Sequence, residues 1–266
     1  METRKGRRNI LEFVDEKIVR KIAVIKEQTR PYRLKVEGWA LSQARSRGIN
    51  VPRVIDYYLD QEGREVLVLE RIFGRLLSLN PLEENTSYIF DVGRQLAVLR
   101  DIGVNYGWID PVSLKGNSKN WQSFISEYTK TYTQRLISES IITENDFLKI
   151  LEAIEGENLD ISTSFLVHRD IRFPNLISDN KGEVWIVDWE NVLLGDPLYD
   201  LALFGTRYGH GVLWKSLKSG FGFDHLPSRY ILYEIVGLIG IIDFCRKNNI
   251  NYKGKLRHLQ RLITTI

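Results

Sequence analysis

The segment Phe165–Asp200, FLVHRDIRFPNLISDNKGEVWIVDWENVLLGDPLYD, constrains this chain more than the rest of it together. Three short apolar runs, Phe165–Val167, Asn175–Ser178 and Val184–Trp189, are set among acids, amides and turn residues. Their β-branched and aromatic side chains suit a pleated, half-buried surface. Asp179-Asn180-Lys181-Gly182 separates the last two runs, and Asn and Gly tolerate positive φ, so a hairpin is expected there. Pro174 breaks any helix between His168 and Asn175, leaving Asp170 on an irregular loop. Asp170 and Asp188 are then expected at strand ends, on the rim of one small sheet. Asp196-Pro197 has the signature of a helix start, with Asp as cap and Pro in the first helical position.

The spacing has a chemical reading. Moving a phosphoryl group requires in-line positioning and neutralisation of charge on the phosphate oxygens. Mg²⁺ is a hard cation that takes oxygen ligands; Asp188 offers a carboxylate and Asn175 a neutral carbonyl oxygen. Asp170 is then free to orient an attacking hydroxyl or accept its proton. One Asp or Asn in a loop usually does no more than cap a turn. The whole pattern, HxDxxxxN followed by an apolar strand and an Asp, points to phosphoryl transfer.

HRDIRFPN and IVDWE resemble the catalytic loop and metal-binding Asp of the protein kinase-like fold. The details resemble its small-molecule branch, the aminoglycoside phosphotransferase and choline kinase-like enzymes. DWE stands where protein kinases have DFG, GDPLYDLA follows at once, and no APE motif or activation segment precedes it. The resemblance implies Asp170 as catalytic base, Asn175 and Asp188 as metal ligands, and Asp200 and His168 as structural support of the catalytic loop. Arg169 departs from the Gly or Asn that small-molecule members usually carry. The implied architecture is α+β and two-lobed. A small antiparallel-sheet lobe spans residues 1–73, with a hinge near 70–73, and a mainly helical lobe spans 74–266.

The N-terminal part fits that expectation. Ile10–Val14 and Lys17–Ala23 read as two strands, Tyr32–Arg47 as a helix beginning after Pro31, and the stretches after Val51 and from Glu65 to Leu69 as two more strands. The kinase-like reading makes Lys21 the phosphate-touching lysine and Glu37 its helix partner. Only about nine residues precede the first strand that can be assigned. One strand and the glycine-containing phosphate loop of the fold look abbreviated, with Lys5-Gly6-Arg7-Arg8-Asn9 as their remnant. Glu70, Arg71 and Ile72 are expected to present backbone groups to a purine edge.

Tyr88–Arg100, Asn120–Ile137, Glu144–Ile154 and the segment from Tyr230 onward read as helices of the second lobe. An acceptor is expected beyond Asp170, with Glu190, Asp196, Arg207, Tyr208 and Trp214 as candidate contacts. Composition bounds the partners. A net charge of +3 is too mild to argue for nucleic acid. The most apolar window, Ile231–Phe244, is interrupted by Glu234 and Asp243 and too short to span a bilayer. The charged N-terminus has no apolar signal region, and the single Cys245 excludes an internal disulfide, which together fit a cytoplasmic protein. Cys245 is expected to be buried packing.

The expected function is transfer of the γ-phosphate of ATP or GTP, with Mg²⁺, to a hydroxyl of a small molecule such as an aminoglycoside-like antibiotic, a sugar or an amino alcohol. The alternative is a nucleotide- or small-molecule-binding pseudokinase module without turnover.

Overall fold

The computed structural model describes residues 2–24, 32–80 and 82–266. Pro31, the expected boundary of the first helix, lies outside them. The N-terminal sheet holds β1 (Glu2–Lys5), β2 (Asn9–Phe13) and β3 (Ile18–Ala23), then, after helix α1 (Arg33–Ser46), β4 (Val54–Leu59) and β5 (Glu65–Glu70). All neighbours are antiparallel in the order β1-β2-β3-β5-β4. The expected abbreviation is therefore corrected: β1 pairs with β2 from Glu2↔Phe13 to Lys5↔Ile10. The Lys5–Asn9 stretch is a turn between them, closed by the Gly6 amide donating to the Asn9 carbonyl at 2.8 Å. ETRK has no apolar alternation because every side chain of this edge strand is exposed, so the period-2 signal had nothing to register.

Helix α1 buries Leu34, Val36, Ala40, Leu41 and Ala44, and also Arg33 and Glu37. It lies close on the sheet because Gly38 has no side chain; a Cβ there would meet Leu67 Cδ1 at 3.1 Å. The chain leaves β5 through residues 71–74 into β6 (Arg75–Leu76). Gly74 is required at that junction, since a Cβ would come within 2.2 Å of the Ser178 carbonyl oxygen.

The rest of the chain comprises α2 (Leu82–Ala97), β7 (Tyr106–Ile109), β8 (Gly116–Ser118), α3 (Trp121–Ser138), α4 (Glu144–Gly156), β9 (Phe165–Val167), β10 (Leu176–Ser178), β11 (Val184–Ile186) and β12 (Leu193–Gly195). It closes with α5 (Leu198–Tyr208), α6 (Val212–Phe221), α7 (Tyr230–Lys247) and α8 (Lys253–Ile263). Caps set several helix starts: Asn120 accepts from the Ser123 amide at 2.7 Å, and Thr143 with Asp146 forms a capping box on α4. Asp196 accepts from the Leu198 amide at 2.9 Å, so the expected cap on α5 is made. The core gathers Trp121, Trp189, Tyr199, Phe204 and Tyr233 between these helices and strands, each under 2 % exposed. Glu234 and Asp243 sit buried in α7, and Asp243 is neutralised by Arg246 at 2.9 Å and Lys247 at 2.8 Å. Cys245 is half-buried rather than packed away. Among the described residues no helix is long and apolar enough to cross a membrane.

The β10–β11 hairpin forms as expected and extends to β6. β9 belongs to a different sheet, of order β8-β7-β12-β9. The loops bearing Asp170 and Asp188 thus leave two sheets, not the one expected. Strands of three residues carry too little periodicity to say which neighbour they pair with.

Candidate active site

Between β9 and β10 the chain turns through His168-Arg169-Asp170, and a buried acid holds that turn. Asp200, at the start of α5, accepts from the His168 amide at 2.8 Å and from the Arg169 amide at 2.6 Å. Burial pushes the Asp200 carboxyl up to about 7, against the pull of those two amides. His168 is fully buried, and burial holds its ring below the ordinary histidine value, hence neutral. Its Nε2 faces the Val187 carbonyl at 3.2 Å and its Nδ1 accepts from the Asp170 amide at 3.2 Å. That network assigns the proton to Nε2 and ties the Asp170 loop to the strand leading into Asp188.

Arg169 has φ 67° and Asp188 φ 66°, both left-handed for residues with a Cβ. Such positions cost of order 1–3 kcal/mol and persist only where the surroundings over-determine them. For Arg169 they do: its guanidinium lies 4.4 Å over the Trp108 ring and 5.6 Å from Tyr128 and Tyr199. Trp108 thus backs the Asp170 loop through an aromatic cage around Arg169. Asp200→Ala would leave two buried amides without an acceptor, at about 1–3 kcal/mol each. The expected outcome is a lower Tm by thermal unfolding and a loss of turnover larger than any loss of nucleotide affinity.

Asp170 lies at the open end of this turn. Asn175 donates both to the Asp170 carbonyl at 2.9 Å and to its Oδ2 at 3.1 Å. With its amide hydrogens spent there, Asn175 has its carbonyl oxygen to offer a cation. Arg207 Nη2 donates to Asp170 Oδ1 at 3.0 Å, and Arg172 Nε lies 3.0 Å from Oδ2.

Facing this loop, Lys21 on β3 puts Nζ 2.7 Å from Glu37 of α1, 2.7 Å from Asp188 and 3.6 Å from Glu190. Lys21 and Glu37 are buried. Burial alone would pull the ammonium down; the charges of Asp188, Glu37 and Glu190 reverse that and hold it well above the ordinary lysine value. Burial lifts the Glu37 carboxyl to about 7 against the Lys21 charge. At Asp188 the same ammonium outweighs burial and holds the carboxyl below the usual range. Glu37 also accepts from the Trp189 amide at 3.2 Å, so one carboxylate clamps β3 to the Asp188 turn.

Oxygens of Glu37, Asp188 and Glu190 all lie within 4.8 Å of one another. Glu190 accepts from Asn9 at 2.6 Å and from Arg8 at 3.4 Å, bringing the β1–β2 turn down onto the site, and Arg33 reaches it at 3.3 Å. The expectation that Glu190 walls the acceptor is therefore corrected: it faces Lys21. Its place two residues after Asp188 was visible, but the side to which the turn sends it was not.

Two further acceptor candidates are corrected. Asp196 is 1 % exposed and held by Arg229 at 3.0 Å and Tyr233 at 2.9 Å, which ties the start of α5 to α7. Trp214 is packed inside, its indole N–H on Tyr230 at 3.0 Å. Arg207 is brought to Asp170, and Tyr208 accepts from the Phe173 amide at 3.2 Å, bracing the same loop. Of the expected hinge groups, the Glu70 and Arg71 amides are committed to the Arg53 carbonyl at 2.9 Å and the Lys17 carbonyl at 2.8 Å.

Comparison with known proteins agrees with this layout. A human protein, acyl-CoA dehydrogenase family member 11, is 27 % identical over 173 residues, covering 61 % of this chain; the match spans only 21 % of that protein's length. A ternary complex of a thermostable mutant of aminoglycoside phosphotransferase APH(4)-Ia with AMP-PNP and hygromycin B superposes with a TM-score of 0.75 at 17 % identity, covering 99 % of this chain and 92 % of that one. Choline kinase LicA from Streptococcus pneumoniae gives 0.70 at 15 % identity, covering 100 % and 94 %. The fold is thus two-lobed, α+β and kinase-like. The sequence profile of the phosphotransferase enzyme family matches residues 25–218. The chain belongs to the phosphotransferase enzyme family.

Proposed function

We propose that this protein transfers the γ-phosphoryl group of ATP or GTP to a hydroxyl of a small molecule, with Asp170 as the base. The observation that carries the reading is the convergence of two clusters, Lys21–Glu37–Asp188–Glu190 and Asp170–Asn175, from β3, α1 and two separate sheets. Asp170 orients the acceptor hydroxyl and takes its proton. The hydroxyl oxygen forms the new P–O bond, the bond to the β–γ bridging oxygen breaks, and the nucleoside diphosphate leaves. Lys21, braced by Glu37, fixes the donor phosphates. Backbone carbonyls of Glu70 and Arg71 and the Ile72 amide face the purine edge.

The oxygen donors fit Mg²⁺. Asp188 and the Asn175 carbonyl would hold it, with Glu190 close enough to join or to steady them. Bound there, the ion neutralises charge on the phosphate oxygens. The AMP-PNP and hygromycin B bound by the APH(4)-Ia neighbour support a nucleotide donor and a small-molecule acceptor.

Stabilisation by Mg-ATP in a thermal-shift assay, followed by nucleotide consumption over aminoglycosides, macrolides, choline-like amines and sugars, tests the proposal. Binding without product on any acceptor favours the pseudokinase module instead. Glu190→Gln is expected to raise the Mg²⁺ concentration for half-maximal ADP release by about tenfold; an unchanged Mg²⁺ titration removes Glu190 from the metal's surroundings.

A further inference from the structure

The acceptor side of the site carries a charge pattern that phosphoryl transfer itself does not require. Asp170 is flanked by the guanidiniums of Arg207 and Arg172, each 3.0 Å from one of its oxygens. Beyond Arg207, Lys255 reaches from α8 to α5 and donates from Nζ to the Thr206 carbonyl. Lys255 is half-buried, and no carboxylate among the described residues pairs with it. Burial, then the nearby Arg207 charge, pull its ammonium below the ordinary lysine value.

The row continues along α8. His258 and Arg261 follow Lys255 at helical spacing, and with Asn251 and Gly254 they line an open surface hollow of about 390 Å³ along that helix. The first turn of α8 has no acidic residue, so its N-terminal amides add to the positive field. Asp170 is the acid in contact with this row; Glu234, whose charge reaches His258, is 5 % exposed and already paired with His210 at 2.7 Å. Like charges gathered beside a half-buried lysine repel one another, and an incoming anion relieves that repulsion. A polycationic or quaternary-ammonium acceptor would add to it.

On the phosphotransferase reading, we propose that the acceptor is an anionic alcohol. Its phosphate, sulfate or carboxylate group seats between Arg207 and Lys255, and its hydroxyl faces Asp170. The anion does more than hold the substrate. It draws the Arg207 guanidinium from Asp170 Oδ1 and leaves that carboxylate free to take the hydroxyl proton. Binding of the correct acceptor and release of the base are then one event. Arg207 thereby becomes a specificity-determining residue.

The test titrates protein saturated with Mg-AMP-PNP with sodium sulfate at constant ionic strength, followed by calorimetry. The expected result is saturable binding, weakened about tenfold or more by Arg207→Gln or Lys255→Gln, the loss of one charge-assisted hydrogen bond. Lys255→Arg and Lys181→Gln, the latter in the distant β10–β11 turn, keep it. In parallel, ADP release from Mg-ATP is compared for glucose, glucosamine, glucuronate and glucose 6-phosphate. The anionic sugars are expected to be favoured about tenfold or more in kcat/KM, and Arg207→Gln removes that preference.

Sulfate binding that is absent, or indifferent to both glutamine variants, overturns the proposal. So does turnover of glucose or glucosamine above the anionic sugars. Equal loss on every acceptor in Arg207→Gln makes Arg207 a positioning residue only and overturns it as well. If none of the four sugars turns over, the sulfate titration decides alone. Failure of the phosphotransferase reading is read separately, as no ADP release with any acceptor of the wider screen; the sulfate titration, run without nucleotide if Mg-AMP-PNP gives no heat, is still judged by the same variants.

Discussion

Asp170→Asn is expected to lower ADP release with an acceptor by roughly 10²–10⁴-fold, the range that a positioned general base supplies. The dissociation constant for Mg-AMP-PNP is expected to stay as in the wild type. The separation of the two effects is what makes the variant informative. Asn keeps the shape of Asp170 and one oxygen for Arg207, so the 3.0 Å contact can survive. It also leaves the Asn175 bond to the residue-170 carbonyl at 2.9 Å untouched. What it removes is the second oxygen and the capacity to accept a proton. Isothermal calorimetry and a coupled ADP assay on the same preparation check both halves. Near-normal turnover would sink the assignment of Asp170 as base, whatever the substrate.

Lys21→Met is expected to have the largest effect on stability. It deletes the one ammonium shared by Glu37, Asp188 and Glu190. Breaking a buried pair from one side costs about 3–5 kcal/mol, because the remaining charge stays desolvated. In a chain of this size that corresponds to a fall in Tm on the order of 10 °C. Nucleotide affinity should drop as well, since the phosphates lose their cation. The double variant Lys21→Met with Glu37→Met separates the two. Removing both partners should restore part of the lost Tm, because the most deeply buried of the three uncompensated carboxylates goes with it. It should restore none of the nucleotide binding. A double variant no more stable than the single one would mean that the pair stabilises by geometry rather than by mutual neutralisation.

Much of this was legible along the chain. The β10–β11 hairpin, the Asp196 cap and the main helices follow from turn chemistry and periodicity within about a dozen residues, and the structure has them where those signals lie. Lys21 and Glu37, picked out by register, do meet at 2.7 Å. β1 was invisible because an exposed edge strand of charged and polar residues leaves no pattern. The helix α1 stripe was blurred because Arg33 and Glu37 point inward with the apolar residues. Sequence reasoning also gave Glu190, Asp196 and Trp214 to the acceptor from their position alone. Position after Asp188 fixes order, not direction, and all three side chains turned to other work.

Chain order settles which chemical groups are available and how they are spaced. Asp170, Asn175 and Asp188 stand among short strands and turns punctuated by Pro174, by the Asp179–Gly182 turn and by β-branched runs. How those groups divide their labour follows from packing between distant elements. Lys21 meets Asp188 across 167 positions of chain and Asn9 meets Glu190 across 181; such contacts depend on how two sheets and α1 pack, and no local pattern encodes them. The cations beside Asp170 are of the same kind. Arg172 comes from its own loop, α5 brings Arg207 onto it, and α8 sets Lys255 against α5 at Thr206, so the sum of their charges exists only once those elements are packed together.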